Sequence, residues 1–200
     1  MTVATIPQQT VPRTKPRAKL ITGEELLAMG DIGSCELIDG RIVRMNPTGM
    51  QHGDIVIALG SALRDFVRKR QLGRVVGGEV GIYTRREPDR VRAADIAFVS
   101  RERLADKSLK GFLKVAPELV VEIISPTDKF SYVMAKVATY LRFGVQLIWV
   151  IDPQNRTVWV ITQDDPEGSI LGETDTLSGD PVLSGLSISI ARLLGATTEA

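Results

Sequence analysis

The sequence predicts an α/β (α+β) fold, a single domain whose central mixed β-sheet is flanked by helices. Three observations predict it. Residues 119–124 and 146–151 are apolar runs of strand length, the pattern of central strands buried on both faces. Residues 128–143, between them, repeat apolar Val133, Val137, Tyr140 and Leu141 at helical spacing, so a helix links two buried strands. The remaining segments run helix, hairpin, long helix and several further strands, an order that gives one sheet with helices packed on it.

Each element has a local cause. Thr22-Gly-Glu-Glu25 is a capping box ahead of Leu26, Leu27 and Met29, and Gly30 stops that helix. Residues 35–44 form a hairpin around Asp39-Gly40, a dipeptide suited to tight turns. In residues 51–72 the apolar Ile55, Leu59, Leu63, Phe66 and Val67 recur at helical period, and Gly73 is expected to close this helix. Residues 75–76 and 80–83 read as strands, 85–89 as a turn and 94–100 as a short apolar strand. Residues 101–114 form a polar connection, 152–155 a turn, and 157–162 the hairpin partner of 146–151. Residues 1–18, with Pro7, Pro12 and Pro16 among polar and basic residues, read as a disordered basic arm, and 19–196 as the domain.

Composition narrows the function classes. The chain of 200 residues is 44% hydrophobic and 24% charged, so it is neither wholly disordered nor a disulfide mini-protein. A single Cys35 and a single His52 exclude a Cys/His zinc site and leave any metal to carboxylates. No apolar run approaches the ~20 residues of a membrane span, and no apolar signal segment opens the chain. The expectation is a cytoplasmic protein with no membrane partner. Arg13, Lys15, Arg17 and Lys19 precede the first acid, Glu24, which leaves the rest of the chain with 21 basic and 24 acidic residues. Any surface for a polyanion must therefore be local.

The chemically informative residues are acids where apolar residues belong. Asp95 lies in the strand Asp-Ile-Ala-Phe-Val, and Glu122 interrupts Leu-Val-Val-Glu-Ile-Ile. A carboxylate on a central strand is costly unless it is paired or holds a cation. Taken singly, each is a salt bridge or an edge position. Together on neighbouring strands they point to a hard cation such as Mg²⁺ or Mn²⁺. Lys136 lies on the following helix, four residues before Tyr140, either on a solvated face or close enough to orient a water. Ser125 and Asp128 read as caps. The orientation of Glu36 in the first hairpin is open, and His52, at the start of the long helix, is either an exposed polar residue or a phosphate or proton-transfer contact.

These blocks carry a resemblance. Cys-Glu-Leu-Ile-Asp-Gly-Arg-Ile-Val (35–43) with His52, Ala-Asp-Ile-Ala-Phe-Val-Ser (94–100), Pro-Glu-Leu-Val-Val-Glu-Ile-Ile-Ser-Pro-Thr-Asp (117–128), Lys136-x-x-x-Tyr140 and Gly-Val-Gln-Leu-Ile-Trp-Val-Ile-Asp-Pro (144–153) together resemble the Uma2 family of restriction-endonuclease-like proteins over roughly residues 22–195. That family is similar to the PD-(D/E)xK nucleases. The resemblance implies a restriction-endonuclease-like fold and Mg²⁺- or Mn²⁺-dependent hydrolysis of DNA. It implies Asp95 and Glu122 as metal ligands and Glu36, Asp95, Glu122 and Lys136 as the catalytic set. The lysine of the motif, two residues after the second acid, is replaced by Ile124, and Lys136 matches a lysine moved onto the next helix. Ala94 replaces the usual proline before the aspartate, and Arg41 stands where many members carry Glu. His52, Arg64, Arg68, Arg85, Arg86, Arg90 and Arg92 are the expected DNA contacts, and the expected partners are DNA and a second copy of the chain in a homodimer. The alternative is a nuclease-like fold kept as an inactive DNA-binding or protein-interaction module. Removal of Asp95 is expected to relieve carboxylate repulsion, so that the fold survives it.

Overall fold

The computed structural model describes residues 19–105 and 110–195. The proposed basic arm, residues 1–18, lies outside them. The helices are α1 (Gly23–Ala28), α2 (Met50–Lys69), α3 (Arg101–Leu104), α4 (Phe130–Phe143) and α5 (Ile190–Leu194). The strands are β1 (Cys35–Ile38), β2 (Arg41–Arg44), β3 (Gly73–Arg85), β4 (Arg90–Ser100), β5 (Leu119–Ile123), β6 (Leu147–Asp152), β7 (Thr157–Thr162), β8 (Ser169–Leu171), β9 (Thr176–Ser178) and β10 (Ser187–Ser189). The main sheet runs β2-β1-β4-β5-β6-β7-β8, with β3 also paired to β4, and β9 and β10 form a separate two-stranded sheet. Among the described strands β5 and β6 alone pair in parallel, and α4 makes the crossover between them.

Alternation along the central strands divides the core. Leu119, Val121 and Ile123 of β5 join Ile55, Leu59, Leu63 and Val67 of α2 on one face. Val120 faces the other way, with Val133, Val137 and Tyr140 of α4. Glu122, two residues on from Val120, thereby points toward α4.

The long hairpin β3–β4 departs from the sequence expectation in three respects. Residues 75–76 and 80–83 belong to one continuous strand, and β4 begins at Arg90 rather than Ala94. The β3 register shifts between Gly77 and Val80, opposite Ile96 and Ala94, so Gly78 and Glu79 bulge out where β4 carries Asp95. Both bulge residues have positive φ, 84° and 57°. Bulges of this kind bend a strand and re-aim its neighbours.

Gly73 does not close α2. The left-handed residue after the helix is Gln71, at φ 56°, and Gly73 is already in β3. What requires glycine there is proximity: a Cβ would lie 2.1 Å from the carbonyl oxygen of Val99 and 2.8 Å from Cα of Ser100. Gly73→Ala must therefore push β3 from β4, and is expected to cost about 1–3 kcal/mol in a urea unfolding curve, the usual range for overpacking. A midpoint equal to the wild type would show that the strand ends shift freely.

α4 begins at Phe130 and not at residue 128. Asp128 caps the preceding turn instead, its Oδ2 accepting the Ser125 N–H at 2.8 Å. No described helix is long and apolar enough to cross a membrane.

Candidate active site

The β4–β5 ladder sets Ile96 opposite Val121, and the same register carried one residue further sets Asp95 opposite Glu122. Both line a cavity of about 180 Å³ together with His52 from α2 and Tyr132 and Lys136 from α4. The β2–α2 connection and Glu79 of the β3 bulge complete its rim.

Glu122 is buried and fully engaged. Its Oε2 accepts from Lys136 Nζ at 2.5 Å and its Oε1 from the Tyr140 hydroxyl at 2.9 Å. Burial pushes its carboxyl up to about 7, with the nearby Asp95 charge adding to the shift and Lys136 opposing it. Lys136 Nζ also donates to the Ala93 carbonyl at 2.8 Å and lies 3.6 Å from Glu36 Oε1. Burial favours the neutral amine, but the Glu122 and Glu36 carboxylates outweigh it and hold the ammonium above its ordinary range. Tyr140 is raised well above the ordinary phenol value by burial and by Glu122 and Glu36.

Asp95 has two partners. Its Oδ2 accepts the backbone N–H of Ile123 at 2.7 Å and lies 3.3 Å from His52 Nε2. Burial disfavours the imidazolium of His52, yet the Asp95 carboxylate prevails and shifts the ring pKa upward. The Ile123 bond changes the expectation for Asp95→Ala. That variant leaves a backbone N–H without its acceptor, a loss of about 1–3 kcal/mol set against any relief of repulsion.

Glu36 is 0% exposed, and its orientation, open from alternation alone, is inward. Arg92 and the Tyr132 hydroxyl each donate to its Oε2 at 2.6 Å, and the Ala93 N–H to its Oε1 at 3.0 Å. Burial resists ionisation, but Lys136 and Arg92 overcome it and hold the carboxyl below its ordinary value. The result is a chain of alternating charge, Arg92–Glu36–Lys136–Glu122, running across β1, β4, α4 and β5.

A model of the Uma2 family, described as "Putative restriction endonuclease", matches residues 23–191. The chain belongs to the Uma2 family. The crystal structure of a "putative nuclease belonging to DUF820" from Anabaena variabilis ATCC 29413 superimposes with a TM-score of 0.72 at 23% identity, covering 87% of this chain and 97% of that one. At that identity the likeness speaks to the fold: a single α+β domain with a mixed sheet and flanking helices. No curated protein matches.

In this Uma2 chain, Glu36, His52, Asp95, Glu122 and Lys136 are brought together with Arg92, and the other arginines expected as DNA contacts lie elsewhere. Arg92 is a buried partner of Glu36 and offers no surface to a phosphate. Arg85 and Arg90 both pair with Asp39, and Arg86 pairs with Glu24 and Asp89. Their charges fasten the β1–β2 turn and α1 to the β3–β4 turn. Arg64 and Arg68 lie in a different cleft. His52 is buried against Asp95 rather than exposed. Sequence reasoning missed Tyr132, which joins Glu36 and Arg92 at the cavity wall. The signal was present, because Tyr132, Lys136 and Tyr140 recur every four residues on one helix face.

Proposed function

We propose that this chain is a metal-dependent endonuclease that hydrolyses DNA phosphodiester bonds, using Mg²⁺ or Mn²⁺ held by Asp95 and Glu122. The observation that supports this most is the convergence of these two carboxylates with Lys136 on one cavity. Among the described residues no group of three or more His, Cys, Asp and Glu side chains is arranged for an ion. Two carboxylates are nonetheless a fitting donor set for a small hard cation that keeps several of its waters. The upward shift of Glu122, to which the Asp95 charge contributes, is the condition that a cation would relieve. A bound cation would supply Lewis-acid polarisation of a phosphodiester oxygen.

The protein's own residues do the rest. Lys136 presents an ammonium at the cavity and donates to an attacking water or to charge developing on the phosphate. Glu36 and Ala93 O hold that ammonium in place. His52 and the Ile123 N–H fix the Asp95 carboxylate. One cavity serves one strand at a time, so a double-strand break would take two copies, in keeping with a homodimer.

The test is nicking of supercoiled plasmid with Mg²⁺ or Mn²⁺ and with chelator. Asp95→Asn is the informative variant, because its amide oxygen still accepts the Ile123 N–H. Cleavage is expected to fall at least about a hundredfold with the unfolding midpoint near that of the wild type. Metal-dependent cleavage unchanged in Asp95→Asn would place the activity elsewhere. Absence of cleavage by the wild type would leave the binding-module reading.

A further inference from the structure

A second basic feature lies along α2, away from the carboxylates. A cleft of about 730 Å³ opens between the end of α2, the start of β3 and α3, and four arginines line it: Arg64, Arg68, Arg74 and Arg101. No acid lines it. The side chains of Arg64, Arg68 and Arg74 make no hydrogen bond or ion pair among the described residues, and the Arg101 side chain donates to the Gln71 side-chain oxygen at 3.4 Å. This sets them apart from the arginines of the β3–β4 turn, each already held by a carboxylate. The segment from Arg64 to Arg74 holds five basic residues and one acid, in a body whose overall charge is close to balanced.

The cleft is built and not incidental. Gly73 lets β3 start against the Val99 carbonyl, which brings Arg74 close to Arg101. The Arg101 N–H donates to the Leu72 carbonyl at 2.8 Å and fixes the opposite wall. From the cleft a shallow groove continues between α2 and β3. Arg64, Val75 and Val76 line both, and Gly60, Gly77 and Gly78 keep the groove open. Gly78 adjoins Glu79, which is on the rim of the carboxylate cavity. Twelve to sixteen residues of α2 separate His52 from Arg64 and Arg68, about 18–24 Å at 1.5 Å per residue. That is the axial length of about five to seven phosphates of one duplex strand at 3.4 Å each.

We infer that this cleft binds the phosphate backbone of duplex DNA and sets the position of the strand whose scissile bond enters the carboxylate cavity. The inference rests on the reading of the chain as a DNA nuclease. Guanidinium forks match phosphate oxygens in pairs, and a recess of free arginines fits the projecting ridge of a backbone better than a flat lipid surface. Such contacts position without reading sequence.

The test measures binding in the Asp95→Asn background, so that cleavage does not intervene. A 30-base-pair duplex is titrated by fluorescence anisotropy at several salt concentrations. The triple variant Arg64→Ala/Arg68→Ala/Arg74→Ala is compared with Arg41→Ala/Arg142→Ala/Arg192→Ala, which removes the same charge from exposed positions elsewhere. Loss of three phosphate contacts is expected to lower the slope of log K against log salt by about 2–3 and to weaken binding at least tenfold, with little change in the control. Thermal melting of both variants checks that they fold. An unchanged slope, an equal loss in the control, or arginine-dependent binding to anionic vesicles without binding to the duplex would overturn the inference. Plasmid cleavage by the wild type separates the two claims. Cleavage with an unchanged slope sinks the cleft alone, and a lowered slope without cleavage sinks hydrolysis alone.

Discussion

Glu36→Ala is expected to lose about 3–5 kcal/mol of folding stability, the cost of removing one partner from a buried ion pair. Glu36 has no exposed surface, and it compensates two buried cations, Arg92 at 2.6 Å and Lys136 at 3.6 Å. Alanine leaves both guanidinium and ammonium facing a cavity in β1. The Arg92 Nε is already buried without a partner, so this guanidinium has little left to hold it. The Ala93 N–H and the Tyr132 hydroxyl lose their acceptor as well. Glu36→Gln keeps acceptor oxygen but not charge, and should lie between alanine and the wild type in urea unfolding.

The pH dependence of this network has a definite sign. The folded-state carboxyl of Glu36 is held below its ordinary value. Its contribution is therefore complete above the ordinary carboxylate range and is lost as pH falls through that range toward the lower folded value. Over the acid limb below about pH 4.5, the wild type should lose stability toward the Glu36→Gln level. A Glu36→Ala midpoint within experimental error of the wild type, or parallel acid limbs in wild type and Glu36→Gln, would refute the structural role assigned to this charge.

The fold was readable where one physical pattern governs one element. The apolar runs of β5 and β6 and the period of α2 and α4 depend only on burial of alternate or every third to fourth residue, and those elements lie where expected. The β3–β4 hairpin was less legible because its bulge depends on pairing between strands. Nothing local to Gly78 and Glu79 says that Asp95 stands opposite. Gly73 shows the same limit: a glycine after a helix usually serves its cap, whereas this one serves the close approach of two strands.

The candidate site divides in the same way. Asp95 and Glu122 were visible because an acid in an apolar strand violates a local rule. Lys136 and Glu36 were visible through family resemblance, since local pattern left one on a possible solvated face and the other without orientation. The arginines could not be told apart, because charge on the chain does not reveal its partner. Arg85, Arg86, Arg90 and Arg92 look as free in sequence as Arg64, Arg68 and Arg74, and only the fold shows which already have carboxylates.

Lys136→Met is expected to lower metal-dependent cleavage by about 10²–10⁴-fold, the range for a positioned acid–base group, while changing metal binding in a pH-dependent way. Lys136 Nζ sits on Glu122 Oε2 at 2.5 Å, so in the metal-free protein the ammonium and an incoming cation compete for one carboxylate. Methionine fills much of the same volume and removes that competitor. It also removes the main influence that lowers Glu122, whose carboxyl already stands at about 7, and the folded pKa must rise further. Near pH 7 more of Glu122 is then protonated, and Mg²⁺ must displace a proton that it displaces less often in the wild type. As pH rises this proton competition weakens, and by pH 9 the variant should approach or exceed the Mg²⁺ affinity of the wild type. Calorimetric titration of Mg²⁺ at pH 6.5 and pH 9, beside plasmid nicking at each pH, reads both effects. Lys136→Arg, which restores a cation with different reach, should recover the pH profile of binding more than it recovers the rate. Wild-type cleavage by Lys136→Met would show that Lys136 is a structural counter-ion for Glu122 with no part in catalysis, and Mg²⁺ affinity with the same pH dependence as the wild type would show that Lys136 does not govern the protonation of Glu122.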